Sequence, residues 1–435
     1  MAYEYGKKQL VQQTELTDKH KDLLFNNKSF CMLPWMHIHA FPGGEAYPCC
    51  MTEMKDTIGT TKINSIAEIW NDAPMRDIRT KMLQNEQVEG CKRCYEQEDS
   101  GFFSMRLSSN KHFGHNITFV DATDSSGSAP VRLTYWDIRF SNLCNLSCRS
   151  CGHIFSSNWY DDHAKIYELE GGKERAAEWK KNNPRIYFAG RQTNDVYEQL
   201  ESHIDELEQV YFAGGEPLIM EEHYRLLKTL VEKKMTHVKL VYNTNFTQMQ
   251  YKKLNVLDLW PQFESVNVGA SLDAMGSLGE YMRKGTDWAQ VERNREMMLK
   301  KCPAVDFYIS PTLSVMNAWH LPEFHRNWVN KGFIKPQDLN VNILQDPPHY
   351  RIDVLPVTAK KEIQELYLEH IQWLKPQDPL TRATIGFESS INLMMANDRT
   401  DLLPTTKKKI AILDTVRNES VADIIPNLSR ILNEI

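Results

Sequence analysis

A chain of 435 residues is long enough for two or three domains with a substantial core, which excludes a minimal disulfide-stapled module. Its 51 Lys and Arg against 57 Asp and Glu give a formal charge of −6, so the chain has neither a basic nucleic-acid footprint nor a polyacidic tail. Hydrophobic residues at 41% suit a folded globular protein, and the informative count is nine cysteines.

The opening segment MAYEYGKKQLVQQTELTDKHKDLL lacks the apolar stretch of a secretory signal, and no run approaches the roughly 20 apolar residues of a membrane span. A cytoplasmic protein without a membrane partner is expected. In a reducing compartment cysteines are more often metal ligands, catalysts or small buried hydrophobes than disulfide partners. They fall at 31, 49, 50, 91 and 94, then at 144, 148 and 151, with Cys302 alone. That grouping predicts two metal-bearing sites and an incidental thiol at Cys302.

In chain order, Cys31 is followed by the glycine turn and paired cysteines of Gly43-Gly44-Glu45-Ala46-Tyr47-Pro48-Cys49-Cys50. Ile66-Ala67-Glu68-Ile69-Trp70-Asn71 and then Cys91-Lys92-Arg93-Cys94 come next. These cysteines suffice for a four-thiolate site, which a zinc ribbon or an iron–sulfur cluster could equally use. His37 and His39 alternate on a strand-like stretch beside it, and the methionines scattered through this region read as packing. The polar, proline-closed DATDSSGSAP at 121–130 reads as a linker.

Beyond it, VRLTYWDIRF at 131–140 reads as a strand with Val131, Leu133 and Tyr135 on one side. Further strands are expected at 208–215, 238–244, 265–271 and 305–310. A helix is predicted at 221–235 on the spacing of Leu226, Leu227, Leu230 and Val231. The charged stretch 152–206 is too long for an ordinary crossover and suggests an inserted helical subdomain or a substrate-facing loop. The last hundred residues read as mainly helical, with Ile363, Leu366, Tyr367 and Leu374 on one face and Val421, Ile424, Leu428 and Ile431 on another, Pro426 starting a turn or kink. Strands alternating with helices favour a parallel α/β core with functional groups at the carboxyl ends of the strands.

The strongest chemical signal is Cys144-Asn145-Leu146-Ser147-Cys148-Arg149-Ser150-Cys151, a CxxxCxxC directly after a strand. Three thiolates can hold one cubane and leave one iron without a protein ligand, whereas a structural zinc completed by His153 would close the site.

This segment resembles the hallmark of the radical SAM superfamily, a CxxxCxxC after the first strand of a partial (β/α)6 barrel. Gly214-Gly215-Glu216-Pro217 is similar to the family's GGEP segment beside the methionine amino group of S-adenosylmethionine. Glycine permits close backbone approach, and Glu216 offers an anionic acceptor to that ammonium. Asn243, Thr244 and Asn245 resemble the polar group near the ribose, with Ser271 and Asp273 ending the next strand. The family's aromatic residue before the third cysteine is absent, Ser150 standing there, so adenine contacts must come from elsewhere, with Tyr135, Trp136 and Phe155 as the nearest aromatics in sequence. His153 and His203 read as core or surface residues.

The N-terminal cysteines resemble the auxiliary-cluster module of SPASM or twitch radical SAM proteins, which implies Cys31, Cys49, Cys91 and Cys94 as ligands of a second [4Fe–4S] cluster, Cys50 alternating with Cys49. Four ligands favour the one-cluster twitch form, and its position before the core is a permuted order. The resemblance implies an α/β fold: a twitch-like α+β auxiliary-cluster domain at 1–120, the linker at 121–130, a radical SAM core at 131–330 and a helical extension at 331–435. It implies that an electron from a reductant such as flavodoxin or ferredoxin enters the first cluster. Reductive cleavage of S-adenosylmethionine then gives a 5′-deoxyadenosyl radical that takes a hydrogen from a peptide or protein. A sugar, nucleotide or other small metabolite is the alternative substrate, and a noncatalytic metal-bound interaction protein the alternative of another class.

Overall fold

The computed structural model describes residues 16–99, 103–192 and 195–434. Residues 1–15, part of the opening segment read for a leader, lie outside them. The chain divides into two compact units that interleave along the sequence. One comprises Met1–Ser141, Tyr187–Gly214 and Leu230–Leu240, and the other Asn142–Ile186, Gly215–Thr229 and Val241–Ile435.

In the first unit Gly44, at φ +96°, supplies a left-handed backbone that turns the strand His37–Ala40 back into Glu45–Tyr47, with Ala40 opposite Ala46. Gly59–Thr60 pairs with the far side of Glu45–Tyr47. On its other side His37–Ala40 pairs parallel with Tyr135–Ile138, placing His39 opposite Asp137, and Tyr135–Ile138 pairs parallel with Gln209–Phe212. The predicted strand at 131–140 is thus confined to four residues. Ahead of it the Thr134 carbonyl still accepts the Gln209 N–H at 3.1 Å, and the Trp136 indole donates to the Leu133 carbonyl at 2.8 Å.

The helix Ile66–Trp70 starts on a capping box in which Ser65 and Glu68 satisfy each other's backbone N–H groups. Its end explains the Ile69-Trp70-Asn71 segment. The Trp70 indole donates to the Ala129 carbonyl at 3.1 Å, while the Asn71 amide both donates to that carbonyl and accepts the Ala129 N–H, each at 3.0 Å. The stretch 121–130 is therefore laced to this helix. At Gly127 a Cβ would lie 2.3 Å from the Arg76 carbonyl oxygen.

In the second unit the strands run in the order Asp306–Ile309, Val266–Ala270 and the Val241–Thr244 part of Lys239–Thr244, the first two parallel. A two-residue ladder sets Arg283 opposite Cys148. The predicted insertion is the helix Trp159–Asn182, broken at Gly172, where φ is +83°. The expected helix at 221–235 forms over Glu221–Glu232, with Leu226, Leu227 and Leu230 buried and Val231 half-buried.

The C-terminal extension is helical: Val357–Leu374, Arg382–Ala396, Leu403–Arg417, Val421–Ile424 and Pro426–Asn433. Ile363, Tyr367 and Leu374 are buried as expected, but Leu366 is 39% exposed, because it lies on the rim of a stripe that His370 and Ile371 continue. Pro426 begins a new helix, since it can neither donate an N–H nor follow a helical residue without strain. As expected, an N-terminal α+β region, parallel strands alternating with helices and a helical C-terminal extension are present. Among the described residues no helix is long and apolar enough to cross a membrane.

Candidate functional site

Cys144, Cys148 and Cys151 sit on a loop pinned at nearly every residue. The Cys144 N–H donates to Ser157 Oγ at 3.2 Å, the Cys151 N–H to the Cys148 carbonyl at 3.0 Å, and the Trp159 indole to that same carbonyl at 2.9 Å. Among the described residues three donors reach the sulfurs themselves, the Leu146 N–H to Cys144 Sγ at 3.5 Å, Arg283 Nη1 to Cys148 Sγ at 3.6 Å and Asn245 Nδ2 to Cys144 Sγ at 3.9 Å. Burial pushes all three thiols up, Cys151 to about 12, and the neighbouring thiols add to the rise at Cys144 and Cys151. Buried thiols coupled in this way ionise readily only when a cation joins them, which is the chemistry of a metal cluster. His153, the candidate fourth ligand of a zinc site, has its ring among Tyr160, His163 and Trp179, with centroids 5.2 to 6.1 Å away. Among the described residues no three Cys, His, Asp or Glu side chains converge on a single-ion position.

Gly214-Gly215-Glu216-Pro217 lies directly against this loop. A Cβ at Gly215 would stand 2.1 Å from the Leu143 carbonyl oxygen, which accepts the Glu216 N–H at 2.7 Å. Only glycine allows that approach. Replacing Gly215 by Ala is expected to push the two loops apart and to cost at least about 3 kcal/mol, read from urea unfolding midpoints.

Glu216 is buried, and its carboxylate accepts from Leu218 N–H at 3.0 Å, Thr244 Oγ1 at 2.7 Å and Asn245 N–H at 2.7 Å. Three of about four acceptor positions are thus used, leaving one on Oε2. Burial pushes the carboxyl from 4.5 up to about 7, and the three hydrogen bonds oppose the rise. The folded chain therefore binds more protons here than the unfolded chain between these values, and Glu216's contribution to stability falls as pH rises through them, by about 3 kcal/mol in all. Thermal midpoints measured from pH 5 to 8 should show this loss in the metal-free protein. Glu216→Gln should remove that part of the pH dependence.

The second group of cysteines surrounds a cavity in the first unit. Cys31, Cys49, Cys91 and Cys94 all line its wall, together with Met51 and Arg106. Cys31 precedes the turn Leu33–Trp35, Cys49 follows the strand Glu45–Tyr47, and Cys91 and Cys94 sit where the helix Lys92–Asp99 begins. Cys50 instead has Asp137 and Arg139 as charged neighbours. Burial raises all four cavity thiols, and their mutual proximity raises Cys31, Cys91 and Cys94 further. Separate thiols spread around a void suit a cluster in which each cysteine binds its own iron. His37 stacks on Tyr135 with centroids 4.4 Å apart, while His39 Nδ1 pairs with Asp137 Oδ2 at 3.0 Å. Met82 also lines the cavity, buried in the packing role expected of it, as Met75 is buried elsewhere, but Met105 on the cavity wall is 38% exposed and Met54 is 62% exposed, so the packing expectation fails for these two.

Residues 31–95 match the model of the SPASM iron–sulfur cluster-binding domain. That match takes in the N-terminal cysteine group and ends before Cys144, Cys148 and Cys151. Among solved structures the chain is similar to anSMEcpe with bound AdoMet and Cp18Cys peptide, at 17% identity and a TM-score of 0.33, the match covering 55% of this chain and 60% of that one. It thus spans 60% of the length of that relative. SuiB from Streptococcus suis bound to S-adenosylmethionine is similar at 13% identity, with a TM-score of 0.33 and coverage of 69% and 63%. TYW1 with a lysine-pyruvate adduct bound matches at 16% identity, with a TM-score of 0.27 and coverage of 56% and 71%. No curated protein matches the chain.

At the strand ends beside the Cys144–Cys151 loop, Asn245 ties the loops together. Its Nδ2 donates to Asn145 Oδ1 at 2.9 Å, and its Oδ1 accepts from Thr247 Oγ1 at 2.7 Å. Asn243 lies beside Gly269, where a Cβ would meet Asn243 Oδ1 at 2.9 Å. Ser271 continues the ladder through its N–H to the Thr244 carbonyl at 2.7 Å. Asp273 is engaged within the protein, by Arg283 Nη2 at 2.9 Å and by the Thr312 N–H at 2.8 Å.

Arg283 thereby links Asp273 to the Cys148 sulfur. Sequence reading missed it, since a lone arginine on a two-residue strand carries no signal of what lies opposite. Of the aromatics nearest in sequence to the cluster loop, Tyr135 is stacked against His37 and Phe113, and Trp136 is 2% exposed. Packing accounts for both. Cys302 is buried and donates to the Leu257 carbonyl at 3.3 Å.

Proposed function

We propose that the protein is a radical SAM enzyme that holds one [4Fe–4S] cluster on Cys144, Cys148 and Cys151 and an auxiliary one on Cys31, Cys49, Cys91 and Cys94, and that it abstracts hydrogen from a peptide or protein substrate. The observation that carries this reading is the direct joining of three segments. The cluster loop receives the Glu216 N–H at Leu143, while Asn245 reaches Cys144 Sγ and Asn145. A structural metal site has no need of the second and third segments.

When bound, the cluster and S-adenosylmethionine supply a one-electron reductive cleavage that yields methionine and a 5′-deoxyadenosyl radical able to take hydrogen from the substrate. The chain's own residues orient the reactants. Three cysteines leave one iron without a protein ligand, Gly215 lets backbone approach, and the remaining acceptor position of Glu216 faces the demand of a cationic amine. Asn243, Asn245, Ser271 and Asp273 form the polar ribose side, Asp273 acting through Arg283. A flavodoxin or ferredoxin serves as reductant. The SPASM match supports the peptide class, since modules of this kind commonly serve peptide-modifying members of the family.

The test is anaerobic reconstitution with iron and sulfide, reduction, and addition of S-adenosylmethionine. Methionine and 5′-deoxyadenosine should form in equal amounts. Zinc in both sites, or no 5′-deoxyadenosine, would sink the proposal. With candidate substrates deuterated, label should enter 5′-deoxyadenosine from peptides; label from small sugars or nucleotides alone would reassign the substrate class.

A further inference from the structure

The cluster loop is held by a segment far away in the chain. Arg149, between the second and third cysteines, has a side chain only 1% exposed. Its Nη2 donates at 2.6 Å to both Asp414 Oδ1 and Glu419 Oε2, and its Nε donates to the Tyr281 carbonyl at 3.1 Å. The guanidinium also lies 3.6 Å over the Tyr281 ring, whose hydroxyl donates to Asp414 Oδ1 at 2.8 Å.

Arg417, 2% exposed, donates through Nη2 to the Ser147 carbonyl at 2.7 Å and pairs through Nε with Asp162 at 2.9 Å. It also lies over the ring of Trp159, the residue that donates to the Cys148 carbonyl. The helix Leu403–Arg417 ends on Asn418 at φ +52°, and the Glu419 N–H returns to the Asp414 carbonyl at 2.9 Å. That turn brings Asp414 and Glu419 onto one cation. A guanidinium this buried is stable only when its charge is met, and with Nη1 of both arginines lacking a hydrogen-bond partner among the described residues, the charge pairing carries that burden, so the contacts constrain the loop as well as decorate it.

We propose that Asp414, Arg417 and Glu419 are positioning residues of the radical SAM cluster loop, acting through Arg149 and the Ser147 carbonyl to set its geometry and local charge. This rests on the assignment of Cys144, Cys148 and Cys151 as cluster ligands. Groups that orient metal ligands without touching the metal typically change affinity or activity by about 10- to 100-fold. The two carboxylates are also close enough to the loop to oppose adding an electron there, so neutralising them should make the cluster easier to reduce and a weaker reductant.

The experiment compares Asp414→Asn with Glu419→Gln as a double variant, and Arg417→Gln singly, with the unaltered full-length protein. In metal-free protein, hydrogen–deuterium exchange over residues 144–151 should quicken in both variants. After reconstitution the double variant should keep its auxiliary cluster, judged by iron content and EPR. Its other cluster should show changed g-values and an upward-shifted midpoint potential, with 5′-deoxyadenosine formation roughly tenfold slower.

Loss of both clusters from the double variant would mean unfolding, and the decision then passes to Arg417→Gln, which removes one contact to the loop and leaves the Arg149 pairs in place. Unchanged exchange, spectrum and potential in variants of a protein that itself cleaves S-adenosylmethionine would overturn the inference. An unaltered protein with no cluster on Cys144, Cys148 and Cys151 would overturn the functional reading on which it rests.

Discussion

Replacing Cys144, Cys148 and Cys151 together by Ala is expected to abolish 5′-deoxyadenosine formation while leaving about four of about eight irons per chain, on the basis of four irons per cluster. The chain has no second set of ligands to substitute, since the remaining cysteines of the second unit reduce to Cys302, whose thiol is committed to the Leu257 carbonyl. The fold should survive. The loop is braced by backbone and hydroxyl contacts through Ser157, Trp159 and Glu216 that do not involve the sulfurs. Iron and sulfide counts with low-temperature EPR of the reduced variant make the measurement. Retention of all the iron would place both clusters elsewhere.

The opposite result is expected from replacing Cys91 and Cys94 by Ala. Both lie on the wall of the cavity in the first unit, so the variant should lose the auxiliary cluster and keep the one that serves S-adenosylmethionine. It should also lose stability, because free energy of metal binding to a site absent from the unfolded chain is folding free energy. A loss of at least about 4 kcal/mol is expected, lowering the melting temperature of the reconstituted protein by about 10 °C or more. The cavity gives the physical reason: without its cluster it is a void walled by thiols and methionines, with Arg106 beside it held by Glu98 and by the Phe30 carbonyl at 3.0 Å. An unchanged melting temperature would show that the void collapses without cost.

Both cysteine groups stand out in the sequence by their local spacing, and the glycine-rich segment by its resemblance to a family motif, to which the structure adds the close approach of Gly215 to the Leu143 carbonyl. Local spacing also found the parallel strands, the inserted helix and the helical extension. It could not separate Cys49 from Cys50. Neighbours leaving a strand point in different directions, and only the turn after Tyr47 decides which one reaches the cavity. Nor could it find Arg149's partners, since Asp414 is 265 residues away and an ordinary helix-end acid until the fold delivers it. Leu366 was misplaced for a smaller reason: a residue three positions from a buried one lies at the edge of the stripe as readily as in it. Glu216 was read as an acceptor for a ligand, and the structure adds that it already braces the end of the strand Lys239–Thr244.

The parallel pairing of His37–Ala40 with Tyr135–Ile138 has a consequence for how the molecule is assembled and can be taken apart. A strand from the cysteine-rich N-terminal region is also the hydrogen-bonded neighbour of the strand that leads to the cluster loop, so the region cannot be detached as a removable cap. During synthesis His37–Ala40 emerges almost a hundred residues before its parallel partner and must wait with an open edge, the kind of exposure that invites mispairing. The early hairpin with Glu45–Tyr47 protects one side in the interval, and cutting the chain within 121–130 would leave the other side bare on both fragments.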